Sequence, residues 1–274
     1  MTHPEHVRTV RAPELVYGAG GIRADDAAET FHEASKVYPR LAAAQMPGAA
    51  LLRARRDLQV SAQRSVRRHP ELDWIELPEP RLPETPLARV LHERESQREF
   101  GEEPLDLSAV GALLHAAYGV TRTDPSGQSF RCVPSGGALY PLELYVAAAR
   151  VDGLEPGVYH FDPLRRCVGR LHAADGLRRL GAASAYPEIT DGCAVTVYVA
   201  AVFWRTRFKY GLRGYRFALL EAGHVVQNLV LTATALGLAS VPLGGYYDRS
   251  VDEVLELDGV NDSTIYAACI GSRP

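Results

Sequence analysis

Residues 194–204 read Ala-Val-Thr-Val-Tyr-Val-Ala-Ala-Val-Phe-Trp. β-Branched and aromatic side chains dominate the run, and both faces of an extended chain would be apolar. A strand apolar on both faces belongs in the middle of a covered sheet. Downstream, 215–236 carries apolar and small residues nearly all round a helix of about six turns, closed by Gly237. A helix without a polar face is buried in a core or a subunit interface. Then come a short strand at 239–243 ending in Gly244-Gly245, a short helix at 251–257 and a last strand at 263–271. Upstream, 107–118 has a helical apolar face, with Ser108 as N-cap and Gly119 as stop. A strand is expected at 143–150, and a hairpin at 157–162 and 166–171 around Pro163. Helices and strands mix without a steady βαβ rhythm, so the class is α+β.

Composition sets the outer limits. The chain has 274 residues, 46% hydrophobic and 23% charged, which excludes disorder over most of its length. A net charge of −3 leaves no basic footprint for nucleic acid. The longest apolar stretch is about half of the roughly 20 residues a membrane helix needs. The N-terminus shows no apolar secretion segment, so a cytoplasmic location is expected. Cys132, Cys167, Cys193 and Cys269 are far apart with no CxxC pair, and so read as free thiols. No metal site is expected: there is no HExxH, and Glu221-x-x-His224 is only a fraction of a di-iron set. His224 reads instead as a packed core or interface histidine. Gly18-Ala-Gly20-Gly21 lacks the spacing and strand–helix context of a dinucleotide fingerprint.

Residues 1–86 carry nine of the eighteen prolines and form an irregular N-terminal extension. Within it, 25–34 suggests a short helix, 53–68 an arginine-rich one, and 70–86 an extended connector. Residues 87–274 form the regular part. Only Lys36 and Lys209 are lysines among thirty basic residues.

Four clusters could carry chemistry, and each has a plainer reading. In Arg94-Glu-Ser96-Gln-Arg98-Glu-Phe100, an extended chain puts Arg94, Ser96 and Arg98 on one side, where two guanidiniums and a hydroxyl could hold a phosphate. A solvated, salt-bridged surface fits as well. In Pro134-Ser135-Gly136-Gly137-Ala138-Leu139-Tyr140-Pro141, two glycines let backbone N–H groups approach a ligand, or simply make a turn. Lys209-Tyr210 lies among Arg205, Arg207, Arg213 and Arg216, which would depress the lysine pKa if they pointed toward it. A neutral lysine beside a tyrosine suits proton transfer, whereas a basic surface helix is the plain alternative. In Pro242-Leu243-Gly244-Gly245-Tyr246-Tyr247-Asp248, a strand end breaks into two glycines, and Asp248 could cap the next helix.

Taken in order, these clusters, with Phe31-His-Glu-Ala-Ser-Lys36, Gly-Val-Tyr-His-Phe-Asp-Pro (157–163) and Glu-Ala-Gly-His-Val-Val-Gln-Asn-Leu (221–229), resemble the SagB/ThcOx-type dehydrogenases of the nitroreductase superfamily. The resemblance covers 87–274 well and 1–86 loosely. It implies a nitroreductase-like fold, with a mostly antiparallel central sheet flanked by helices. It also implies a homodimer with FMN at the interface, the long helix lying between subunits. The implied reaction is oxidation of thiazolines and oxazolines in a peptide to thiazoles and oxazoles, beside a cyclodehydratase, with molecular oxygen as the reoxidant. Arg94, Ser96 and Arg98 match FMN phosphate and ribitol contacts. Glu95 stands where the family often has arginine, and Arg273 is the expected substitute. Pro134, Ser135, Gly136 and Gly137 match a loop that meets the flavin from the partner subunit. Gly244 and Gly245 match the turn at the flavin edge, and Lys209 and Tyr210 match the family's proposed catalytic pair. Two alternatives remain: an NAD(P)H-dependent nitro- or quinone reductase, and a non-catalytic docking subunit of a biosynthetic complex.

Overall fold

A computed structural model describes residues 26–55, 57–58, 62, 66–125 and 127–274. In chain order, helices α1 (Ala27–Ala34) and α2 (Pro47–Ala54) precede strand β1 (Trp74–Glu76) and helix α3 (Leu87–Glu93). Helix α4 (Leu107–Tyr118), strand β2 (Leu142–Ala148) and the hairpin β3 (Gly157–Asp162) and β4 (Cys167–His172) follow. Next come α5 (Ala174–Ala182), α6 (Pro187–Gly192), β5 (Val195–Val202), α7 (Trp204–Tyr210) and α8 (Leu212–Ala235). Strand β6 (Ala239–Leu243), helix α9 (Asp248–Val254) and strand β7 (Asp262–Gly271) end the chain.

The seven strands make one sheet in the order β1-β4-β3-β2-β5-β7-β6. Every neighbouring pair is antiparallel. The doubly apolar β5 sits inside it, with Val199 opposite Leu144 on one side and Tyr266 on the other. Alternation along β5 explains the layers. Val195, Val197, Val199 and Ala201 face a core shared with α4 and α8. Tyr198 and Ala200 face a second core shared with α5 and α9. Burying each valine contributes about 1.5–3 kcal/mol, so a charge at Val197 would break both the strand and the α8 contact. The α+β architecture is thus a sheet covered by helices on both faces.

Several boundaries differ from expectation for local reasons. Asp106, not Ser108, caps α4: its carboxylate accepts the Ser108 N–H at 2.9 Å. Helix α9 starts at Asp248, so Tyr247 and not Asp248 holds the N-cap position. The connector at 70–86 is extended but also adds β1 to the sheet edge, with Ile75 opposite Val168. Helix α2 ends at Ala54, Val66 to His69 are not helical, and most of the arginine-rich stretch between lies outside the described residues, as does Gly18 to Gly21. Among the described residues all four cysteines are free thiols. Among them, no helix is long and apolar enough to cross a membrane, and no cluster of His, Cys, Asp or Glu could hold a metal ion.

One end of the sheet gathers the chemistry. Leu142 pairs with Ala201, so the 134–141 loop and the α7 segment meet beyond the same end of β2 and β5.

Candidate active site

Lys209 and Tyr210 close α7, and Gly211 ends it at φ +56°, where the Gln45 carbonyl leaves no room for a side chain. Opposite them is a single tight turn, Gly136–Ala138, with Gly137 at φ +69°. A Cβ on Gly137 would lie 2.7 Å from the Tyr210 hydroxyl and closer still to Lys209 Nζ. The lysine and the tyrosine therefore converge on one bare backbone position. Lys209 Nζ also stands 4.9 Å from the Tyr210 ring centroid. Phe217 from α8 fixes that ring edge-on at 5.0 Å and packs against Gly136.

Three of the four arginines expected round Lys209 are engaged elsewhere. Arg205 pairs with Glu143 at 2.5 Å, Arg207 lies over the Trp204 ring at 4.8 Å, and Arg216 donates to Ser35 Oγ at 2.7 Å. The Ser35 contact belongs to a larger seam. Phe31 meets Tyr215 edge-on at 5.3 Å, Tyr215 stacks on Phe203 at 4.3 Å, and Gly48 abuts the backbone at Phe208. The Phe31–Lys36 motif thus packs on the segment that carries Lys209 and Tyr210. Lys36 itself pairs with Glu33 at the surface.

Two buried carboxylates frame this end of the sheet. Glu143, 2% exposed, faces Arg205, His160 at 2.8 Å and the Arg67 N–H at 2.7 Å. Burial opposes its ionisation, but the Arg205 charge and the His160 hydrogen bond outweigh that and hold its pKa at about 2. Glu221, on α8, accepts the Tyr118 hydroxyl at 2.7 Å. Burial raises its pKa to about 7 against the pull of Ser135 and Tyr118.

The other predicted residues occupy a different part of the chain. Residues 94–100 run beside β6, with the Gln97 N–H on the Ser240 carbonyl at 3.0 Å. Arg94 and Arg273 line one open cavity of about 660 Å³, together with Arg89, His92 and Glu95. Ser96 and Arg98 are exposed and are not part of that lining, so the three do not gather on one cavity. Gly244 and Gly245 follow β6. Gly244 is exposed with open space before it, while Gly245 is covered by Tyr186. Strands β2 and β6 are three steps apart in the sheet, about 14 Å at roughly 4.8 Å per strand. One chain therefore presents two clusters: Gly137 with Lys209 and Tyr210, and the residues along β6.

The exposed side of α8 bears Leu219, Leu220, Gly223, His224 and Gln227. His224 is thus not a core residue. Sequence reasoning missed Tyr118, Phe217 and Glu143, and met Glu221 only as a Glu-x-x-His spacing it set aside and as the start of the 221–229 motif. A signal existed for Glu221, which shares a helical face with Ala218, Ala222, Val225 and Leu229, where a carboxylate is out of place.

Comparison with known proteins adds a relationship. A model of the nitroreductase family matches residues 91–272. A Methanocaldococcus jannaschii protein bearing the nitroreductase name is 40% identical over 185 residues, covering 68% of this chain and 91% of its own length. The microcin B17-processing protein McbC of Escherichia coli is 32% identical over 165 residues, covering 56% of this chain and 57% of its own. Among solved structures, a nitroreductase-named protein of Anabaena variabilis matches with a TM-score of 0.64 and 26% identity, over 75% of this chain and 42% of that one. A chain of the E. coli microcin synthetase McbBCD complex, with truncated pro-MccB17 bound, matches with a TM-score of 0.56 and 25% identity, over 80% and 82%. This chain therefore spans well under two thirds of McbC and of the Anabaena protein.

Proposed function

The chain belongs to the nitroreductase family of oxidoreductases, and on that premise we propose that it is an FMN-dependent dehydrogenase of thiazoline or oxazoline rings in a peptide. The observation that carries this reading is the convergence of Lys209 Nζ and the Tyr210 hydroxyl on Gly137. A reductase fed by NAD(P)H has no use for such a pair, whereas ring oxidation needs a base for a carbon-bound proton. The similarity to McbC, a peptide-processing protein, supports the same reading.

Proteins of this family typically bind FMN. The donors present here fit it. Arg94 and Arg273 face one cavity and suit a phosphate, and Gly137 leaves backbone open at the reacting end. Arg94, Arg273 and the open turn at Gly244 would hold the group from one copy. The loop at Pro134, Ser135, Gly136 and Gly137, with Lys209 and Tyr210, would close on it from a second. The exposed face of α8 round Leu220 and Gly223 is the surface for that homodimer.

Bound FMN would supply the two-electron acceptor, taking the second hydrogen of the ring as hydride. The chain's own part is the proton. Tyr210 receives it at the hydroxyl oxygen while passing its own O–H proton to the free amine of Lys209 beside the same ring, which ends as the ammonium. Phe217 keeps the tyrosine ring from turning away. Arginine could not replace Lys209, because a guanidinium does not release its proton.

The test is azole formation by Lys209→Ala and Tyr210→Phe at equal flavin content. Each should fall at least about a hundredfold, the usual worth of a proton-transfer group. Full activity in both variants would sink the assignment. The 40% identity to a nitroreductase-named protein favours a second reading, reduction of nitro or quinone compounds. Rapid reduction of the flavin by NADPH, with no reduction by an azoline peptide, would select it.

A further inference from the structure

We propose that Glu221 is the positioning residue for the Ser135–Tyr140 loop, and through it for Gly137 beneath Lys209 and Tyr210. The inference rests on the proton-transfer reading of that pair.

The loop is strained. Ala138 and Tyr140 hold φ +53° and +45°, and Gly137 holds +69°. A non-glycine residue in this region is disfavoured and persists only where its surroundings over-determine it. Here the restraints lead to one carboxylate. Ser135 Oγ accepts the Tyr140 N–H at 2.9 Å, which closes the loop on itself. The Ser135 hydroxyl in turn favours the charged form of Glu221. At the far end, the Leu142 N–H donates to the Tyr118 hydroxyl at 3.1 Å, and that hydroxyl donates to Glu221 at 2.7 Å. The far end of the loop is thus tied to Glu221 through Tyr118, and Ser135, which closes the near end, stands close enough to the same carboxylate to act on its charge.

The carboxylate is 2% exposed, and its Oε2 has no well-formed hydrogen bond. Burying it among Ala218, Ala222 and Val225 costs stability that a packed apolar side chain would not. The groups facing it are Tyr118 from α4, Ser135 from the loop and Arg131, whose guanidinium covers the Tyr118 and Tyr140 rings at 4.1 and 4.8 Å. The ionised carboxylate attracts both hydroxyls. Protonated, it offers an O–H in their place and the pull on Ser135 is lost. The loop therefore changes its restraints as pH crosses neutrality.

The experiment is a ¹⁵N NMR titration of the full chain from pH 5.5 to 8.5, read at the Gly136, Gly137 and Lys209 amides. In the wild type these should share one midpoint near neutrality. Glu221→Gln should abolish it, and Tyr118→Phe should move it upward. Glu221→Gln should also lower kcat for azole formation about tenfold with KM within about twofold. Flat wild-type amides, or a midpoint that survives Glu221→Gln, would overturn the proposal. Should Glu221→Gln fail to fold, an unmoved midpoint in Tyr118→Phe would overturn it equally. A Glu221-dependent titration without azole formation in any variant would overturn the dehydrogenase reading and leave the positioning role standing.

Discussion

Tyr118 on α4 and Glu221 on α8 are joined by a 2.7 Å hydrogen bond buried between the two helices. Removing the hydroxyl leaves Glu221 without its donor and the Leu142 N–H without its acceptor. Tyr118→Phe is expected to cost about 1–3 kcal/mol in urea unfolding, the penalty of unsatisfied buried groups.

Glu221 also makes stability depend on pH in an unusual direction. Its folded pKa, about 7, lies above the ordinary 4.5. The folded state therefore binds the extra proton between those values, and stability falls as pH rises through that window. Glu221→Gln removes the effect. Its stability relative to wild type should grow from pH 4.5 to 7 by up to about 3 kcal/mol and then level off.

Glu143 works with the opposite sign. Its folded pKa, about 2, lies below the ordinary 4.5, so its contribution is present above 4.5 and is lost as pH falls toward 2. Glu143→Ala leaves the half-buried Arg205 facing no charge. Unfolding at pH 7 should show a loss of about 3–5 kcal/mol, and the acid limb of the wild-type stability curve should flatten.

Gly137→Ala tests the convergence itself. The methyl group would enter the space of Lys209 Nζ and the Tyr210 hydroxyl at a backbone angle that disfavours alanine. Azole formation should fall at least about tenfold. Circular dichroism should stay that of the wild type, because the strain is confined to one turn.

Much of the fold was legible because it rests on periodicity. The both-faced apolar run at 194–204 holds the strand Val195–Val202, and the hairpin round Pro163 and the strand at 239–243 appear where the pattern puts them. Strand β1 was hidden because three residues between Pro70 and Pro78 carry no period. An edge strand tolerates prolines beside it, so the prolines argued too strongly for a mere connector. The site was legible in its residue types but not in its grouping. No spacing in the chain reveals that Gly137 lies under Lys209, far downstream, or that Gln97 binds Ser240 and sets Arg94 beside β6. Those contacts depend on strand order, which local chemistry does not encode.

The seam between α1, α2 and the segment 203–217 has a consequence for recombination. Phe31, Ser35 and Gly48 each meet a specific partner there: Tyr215, Arg216 and the backbone at Phe208. An N-terminal segment grafted from a homologue would bring its half of these contacts without the other half. The two stretches form one heritable unit, split across the gene, and a viable chimera must carry both from the same parent.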